Sequence, residues 1–453
     1  MPAFHTSLKP TLLFIALYGL IAIWNIPHTI AARYALEGLL LILIVSSSPE
    51  WRLFFSRAKL LLVFFAYVFL QIAFFSSDLK MALSSFKSEW MHFILFSIIG
   101  AGAGLLIGQS KNQNLLLYIG LAFATPILLH VCMSIIKAIQ IGEIPWRYWG
   151  IHDIHGDLAY AGLQASILFT VYLLTQASTR LQKAFVIILL FACIVSPLIA
   201  QSRGGVLFVV LATITTFITY YAINSERQAF RMKYIAAFCL SILCVGGIIK
   251  MGITVDPNRW GSVFTKAMIG LHGDPKFVYC DGIESLRESL RQDGVVVTPE
   301  IELAIKSVED GDGARIMAAR SGLNLLSHYP MGINGSKQAY QIAITQLCGK
   351  PPAIFMSHTH NAWIDTALAI GIPGAILLLL VLLNYAFYGY QLNQQQKTIN
   401  PFAFALLIST CVWILRGVLD STLRDQMLEM QAFTLAFLLA VALQSQATRS
   451  LNK

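Results

Sequence analysis

His360-Asn361 is followed, after nine residues, by Gly371-Ile372-Pro373-Gly374, and residues 375–383 then carry no polar atom outside the backbone. A histidine at the first turn of an apolar helix sits where a membrane ends and water begins. Neutral imidazole titrates near working pH and takes a proton from an attacking hydroxyl. The plainer reading of His360 is a polar residue opening a helix and satisfied by backbone. Asn361 or His358 is placed to fix its tautomer. Upstream lies a stretch of roughly a hundred residues, 252–360, too polar to lie in lipid. His360 can therefore meet a lipid-borne and a water-borne group together.

Several cations stand near this junction. Gln201-Ser202-Arg203-Gly204-Gly205 joins two apolar runs. Arg203 there is either a helix-end anchor or a ligand-binding cation, and the flanking glycines allow close backbone approach. Arg315 and Arg320 are five residues apart on one expected helix, so they point about 140° apart and cannot both face one ligand. Arg315, next to the small residues Ala318, Ala319 and Gly322, is the preferred one. Arg147 lies in Pro145-Trp146-Arg147-Tyr148-Trp149, which reads as an interfacial aromatic belt or as an arginine holding a phosphate at headgroup level. Arg416, Asp420, Arg424 and Asp425 gather in the last turn. Asp420 either pairs with Arg416 or Arg424 four residues away, or orients His360. His152, His155 and Asp157, or His358 and His360, lack the three or four convergent ligands of a zinc site, so no metal and no cofactor is expected.

The elements that hold these residues follow from composition. With 57% hydrophobic and 12% charged residues in 453, the chain is not an ordinary soluble domain. Apolar runs near 11–26, 29–46, 59–75, 89–108, 114–139, 158–176, 184–201, 204–221, 234–251, 361–390, 402–419 and 427–445 read as about twelve spanning helices. This predicts an all-α polytopic membrane protein: spans over 1–251, a polar helical segment over 252–360, and further spans over 361–453. Arg52, Arg57, Lys59, Lys111, Arg180, Lys183, Arg227, Arg231, Lys233 and Lys397 share one side, which the positive-inside rule makes cytoplasmic, with both termini. The net charge of +9 is largely this topology signal and calls for no nucleic acid.

Within 252–360, helical spacing is expected over 284–291 with Asp281 as cap, over 299–308 with Thr298 as cap, and over 314–328. Residues 331–335 read as a turn-rich return. Cys280 and Cys348 are the two cysteines outside predicted spans, and a bridge between them suits an oxidising outer face.

Ser202-Arg203-Gly204-Gly205, then an arginine helix, then Pro330-x-Gly-x-x-Gly335, then His-Asn-x9-Gly-x-x-Gly resembles the O-antigen ligase family of the Wzy-C superfamily. The resemblance implies a GT-C-like, metal-independent glycosyltransferase in the bacterial inner membrane. It implies a glycan donor on undecaprenyl diphosphate, used at the periplasmic face, and a hydroxyl acceptor on lipid A-core oligosaccharide. Arg203 and Arg315 would meet the diphosphate, with Arg147 as a third. His360 would take the acceptor proton in an inverting displacement. Ser202, Arg320, Asn361, His358, Arg416 and Asp420 would line the substrate, and the spans would bind the lipid tail. An O-antigen polymerase and a protein O-oligosaccharyltransferase use the same motifs. A lipid-glycan transporter fits less well, because its distinctive charges belong at the midplane rather than at one face.

Overall fold

The computed structural model describes residues 5–109, 113–152, 155–223, 249–395 and 399–451, together with 243, 246 and 247. Among them, helix is the only regular structure. The first apolar runs form α1 (His5–Ile23), α2 (Ile30–Val45), α3 (Lys59–Phe75), α4 (Leu79–Ile107), α5 (Leu115–Ile141), α6 (His155–Thr175), α7 (Arg180–Ile199) and α8 (Arg203–Ile223). The polar segment folds into α9 (Val263–Ile269), α10 (Pro275–Asp281), α11 (Ile283–Gln292), α12 (Pro299–Asp310), α13 (Asp312–Leu326) and α14 (Ala339–Cys348). The last three are α15 (Ala362–Gln394), α16 (Pro401–Leu419) and α17 (Asp425–Leu451). Helices α4 to α8 and α15 to α17 contain stretches long and apolar enough to cross a membrane, and α1 and α3 contain shorter apolar ones. The chain is a helical, polytopic membrane protein. Most of the crossing expected over 234–251 lies outside the described residues. The stretch 76–88, expected as a loop, is helical from Leu79, because Asp78 caps the turn by accepting from the Met81 N–H at 3.0 Å.

Small residues set the closest packing. Gly100 and Gly104 on α4 and Gly108 just after its end recur every four residues, against α17. A Cβ at Gly104 would lie 2.6 Å from the Phe437 carbonyl oxygen, and one at Gly108 would lie 3.2 Å from Val441 Cα. Lipid gives apolar helices no hydrophobic reason to associate, so close backbone approach and dispersion do that work. Gly104→Val should cost about 1–3 kcal/mol through overpacking. A midpoint of thermal unfolding unchanged from wild type would refute this account of the α4–α17 contact.

Sequence spacing predicts one continuous span from residue 361, but α15 is two half-helices. Gly371 has φ 84° and ψ 161°, which breaks the helix. The break is occupied by the returning segment: Ile372 N–H donates to the Pro330 carbonyl at 2.9 Å, Ile333 N–H to Leu368 at 2.8 Å, and Gly335 N–H to Ala369 at 3.0 Å. A Cβ on Gly371 would meet the Met331 carbonyl carbon at 2.8 Å, and one on Gly332 would meet the Ala369 oxygen at 2.6 Å. The two glycine motifs are thus halves of one backbone interlock. Tyr67 Oη donates to Ile370 at 2.8 Å and Gln71 Nε2 to Met331 at 3.0 Å, so α3 satisfies further carbonyls there. Irregular backbone survives at membrane depth only when protein completes its hydrogen bonds.

The polar segment is a helical unit stapled by a Cys280–Cys348 disulfide, as expected, which ties the end of α10 to the end of α14. Thr298 caps α12 by accepting from Ile301 N–H at 3.3 Å. Asp281 does not cap α11: it is the last residue of α10, it pairs with Lys350 at 3.1 Å, and Gly282 with φ 94° makes the turn instead. The arginine helix begins at Asp312 rather than at 314, and α9, α10 and α14 go beyond the expected elements.

Candidate active site

His360 sits at the mouth of α15 in a left-handed conformation, φ 55°. Such backbone is costly for a side-chain-bearing residue and persists where its neighbours over-determine it. They do so here. Asp365 Oδ1 accepts from the Thr359 N–H and hydroxyl, both at 2.8 Å, and its Oδ2 accepts from Ser421 Oγ at 2.6 Å. On the other flank, Asn361 Oδ1 caps α15 by accepting from Trp363 and Ile364 N–H at 3.1 Å, while its Nδ2 donates to the Val418 carbonyl at 2.9 Å. Asn361 therefore pins the end of α16 rather than fixing the imidazole tautomer. His358 does not fix it either: its ring lies against that of His360, tilted by 55° with centroids 4.2 Å apart, and its Nδ1 contacts Ser357 Oγ at 2.7 Å. Among the described residues, buried His360 Nδ1 has no hydrogen-bond partner.

The arginine helix is brought onto this loop by a missing side chain. A Cβ at Gly322 would lie 2.6 Å from the Cγ2 atoms of both Thr359 and Ile364. Arg315 is two turns earlier on the same face of α13. It is exposed, and among the described residues no carboxylate lies within ion-pair distance of it. Burial, His358, Arg315 and Arg424 together hold the His360 imidazole down to about 3, against the opposing pull of Asp420. Burial would raise the Asp420 carboxyl, but Arg416, the Tyr160 hydroxyl, Arg315 and His360 outweigh it and hold the group below its usual range. His360 is therefore a neutral ring among fixed cations.

That neutrality has a consequence for stability. The unfolded chain binds a proton at His360 below 6.5, whereas the folded chain resists it to about 3. The unfolded state thus binds more protons in this window, and stability falls as pH drops through it. His360→Gln should flatten that part of the pH dependence of thermal unfolding. An unchanged slope would refute the assignment.

Asp420 pairs with Arg416 of α16, one of the two expected partners, and its second partner is Tyr160 of α6 rather than Arg424. Tyr160 Oη donates to Asp420 Oδ2 at 2.9 Å, and Arg416 stands 3.8 Å from the same oxygen. Arg416 is 2% exposed, donates to the Ala159 carbonyl at 3.2 Å, and lies 4.1 Å above the Tyr160 ring. A cation so enclosed supports Asp420 and does not reach a ligand. Arg424 turns to Asp425 at 3.0 Å.

The other expected residues divide. Arg203 is bidentate to Asp312 at 2.7 and 2.8 Å, a clamp between the start of α8 and the first turn of α13. Ser202 is buried and its Oγ accepts from Gly205 N–H at 3.3 Å, a helix-start contact. Arg320 donates to the carbonyls of Gly270 at 3.1 Å, His272 at 3.3 Å and Gly273 at 3.0 Å, so it is the packing arginine of the pair. Arg147 is paired with Asp256. Among the described residues no three His, Cys, Asp or Glu side chains converge as metal ligands. Asp312, Thr359, Asp365 and Tyr160 escaped the sequence reading. The only trace of Asp365 was its place four residues after Asn361 at a helix start.

Fold and site define a membrane protein in which a histidine lies within the electrostatic reach of an arginine that has no carboxylate partner among the described residues, where a polar helical unit meets the bundle. Residues 184–379 match the family model described as Wzy_C, O-Antigen ligase, a stretch that includes Arg203, Arg315, His360 and Gly374. The matched stretch is similar to the Wzy-C superfamily of O-antigen ligases, whose members are glycosyltransferase-like enzymes. No curated protein matches it.

Proposed function

We propose that the protein is an O-antigen ligase, moving a glycan from undecaprenyl diphosphate to a sugar hydroxyl of lipid A-core at the periplasmic face of the bacterial inner membrane, with both termini cytoplasmic. The observation that carries this reading is exposed Arg315, with no carboxylate partner among the described residues, acting on a half-buried neutral His360. As the glycosidic bond breaks, the diphosphate gains charge, and a guanidinium grips its oxygens without changing protonation. The acceptor oxygen bonds to the anomeric carbon, the bond to phosphate breaks, and the acceptor proton passes to His360. Undecaprenyl diphosphate leaves with the electron pair. Arg203 holds α13 in place through Asp312 and adds to the positive field, using two of its five N–H groups in that pair. Arg147 is paired with Asp256.

A base held down to about 3 is weak, and the donor corrects this. A dianion on Arg315 replaces a repelling charge near the imidazolium by an attracting one and raises the His360 pKa. The acid limb of kcat should then lie at higher pH than that of kcat/KM, the donor's own ionisation being measured separately. Limbs at the same pH would count against donor-assisted activation.

Purified protein given undecaprenyl-diphosphate O-antigen and lipid A-core, with EDTA and without ATP, tests the function. Transfer that survives EDTA and is lost in His360→Ala supports the ligase. Lengthening of the donor glycan would mean a polymerase, transfer to protein hydroxyls an oligosaccharyltransferase, and no reaction a transporter or scaffold.

A further inference from the structure

Helix α9 supplies no side chain to the site, yet its outward face is apolar. Phe264 is 77% exposed, Leu271 51% and Met268 42%. Phe264 and Met268, four residues apart on α9, project within about 40° of one another, and Leu271 lies in the turn just past the helix end, where its N–H donates to the Met268 carbonyl at 3.0 Å. The other side of the helix is occupied: Ile269 is buried, and Thr265 donates to Glu300 Oε1 of α12 at 2.8 Å. A contiguous row of large apolar side chains marks a contact surface rather than a water-facing one.

Its position says what the contact is. The helical residues 249–255 lead out of the bundle with Ile249, Met251 and Ile253 exposed. Trp260 folds back over Gly252, where a Cβ would meet its Cε2 at 2.6 Å, and its Nε1 donates to Gln201 Oε1 at 2.9 Å. Gln201 lies between the end of α7 and the start of α8, at the rim of the bundle. Helix α9 begins three residues after Trp260, so it lies level with the ends of the spans. Its apolar face follows, along the chain, the exposed apolar side chains of Ile249, Met251 and Ile253. Lys250 and Lys276, both exposed, flank it in sequence as side chains that reach phosphate headgroups do.

We propose that α9 is an interfacial anchor, with Phe264, Met268 and Leu271 seated among the acyl chains of the leaflet on the site's side, and that bilayer lipid is the partner of this face. The proposal rests on the membrane-spanning fold and not on the transfer reaction. The anchor also bears on Arg315. A Cβ at Gly270 would lie 2.7 Å from the Gly313 oxygen and 3.0 Å from Ile316 Cβ, so the end of α9 is in close contact with the first turns of α13. Seating α9 in the leaflet fixes the height of Arg315 above it, at the level where a lipid diphosphate lies.

The full chain, carrying p-benzoylphenylalanine in place of Phe264, would be reconstituted in vesicles of phosphatidylethanolamine and phosphatidylglycerol, irradiated and weighed intact. Glu288, 60% exposed on α11, is the water-facing control position. Phospholipid adducts at position 264 and none at position 288 are expected. Covalent dimers or adducts to another protein at 264 would overturn the proposal in favour of a protein-covered face. Adducts no more frequent at 264 than at 288 would overturn it in favour of a face in water. Neither result depends on glycan transfer, so failure here and failure of the ligase reading are separable.

Discussion

His360→Ala lowers kcat for glycan transfer by about 10²- to 10⁴-fold, the usual worth of a general base. The fold should tolerate the change, because Asp365 and Asn361 bond to the backbone and side chains flanking residue 360 and not to its ring. Donor KM should move much less than kcat, since the imidazole acts on the acceptor proton. His360→Gln separates positioning from proton transfer: an amide keeps polar contact but takes no proton, and should be as inactive as alanine. Single-turnover transfer with excess enzyme is the measurement. Glutamine retaining more than about a tenth of wild-type activity would sink the base assignment.

Arg315→Ala costs about 10²-fold or more in kcat, the scale on which preorganised charge at a developing anion is worth. Arg315→Lys recovers part of this, because an ammonium keeps the charge but not the bidentate grip. Arg320→Ala is the contrast. It leaves the carbonyls of Gly270, His272 and Gly273 without their donor and should cost about 1–3 kcal/mol of stability, with a smaller effect on the chemical step. Thermal unfolding and transfer measured on both variants decide the matter. If Arg320→Ala were the less active protein at equal stability, the two roles would be reversed. Arg315→Ala should also raise the His360 pKa in the free enzyme, since the arginine disfavours the imidazolium.

The sequence by itself determined the class of protein and most of the parts. Apolar run lengths are fixed by bilayer thickness, so helices near the runs over 114–139, 184–201, 204–221 and 402–419 appear where expected. Capping chemistry is local, and Thr298 with Pro299 opens α12 as its residue types require. The order of arginine, glycine and histidine motifs carried the family resemblance. Angular spacing said only that Arg315 and Arg320 cannot both face one ligand, and the small residues Ala318, Ala319 and Gly322 favoured Arg315; in the structure Arg320 is the one bonded to backbone carbonyls.

Contacts between distant residues were decided only by the tertiary structure. Whether Arg203 is a bare cation depends on Asp312, more than a hundred residues away, and no local spacing records that pairing. Gly371 looks like a glycine tolerated within a span until the Met331 backbone occupies the space its side chain would need. His360 reads as an ordinary titrating imidazole in sequence. Its neutrality comes from burial and from Arg315 and Arg424, brought to it by α13 and the turn after α16. Helix position is a short-range property of the chain, whereas desolvation and charge pairing are set by what the fold places within a few ångströms.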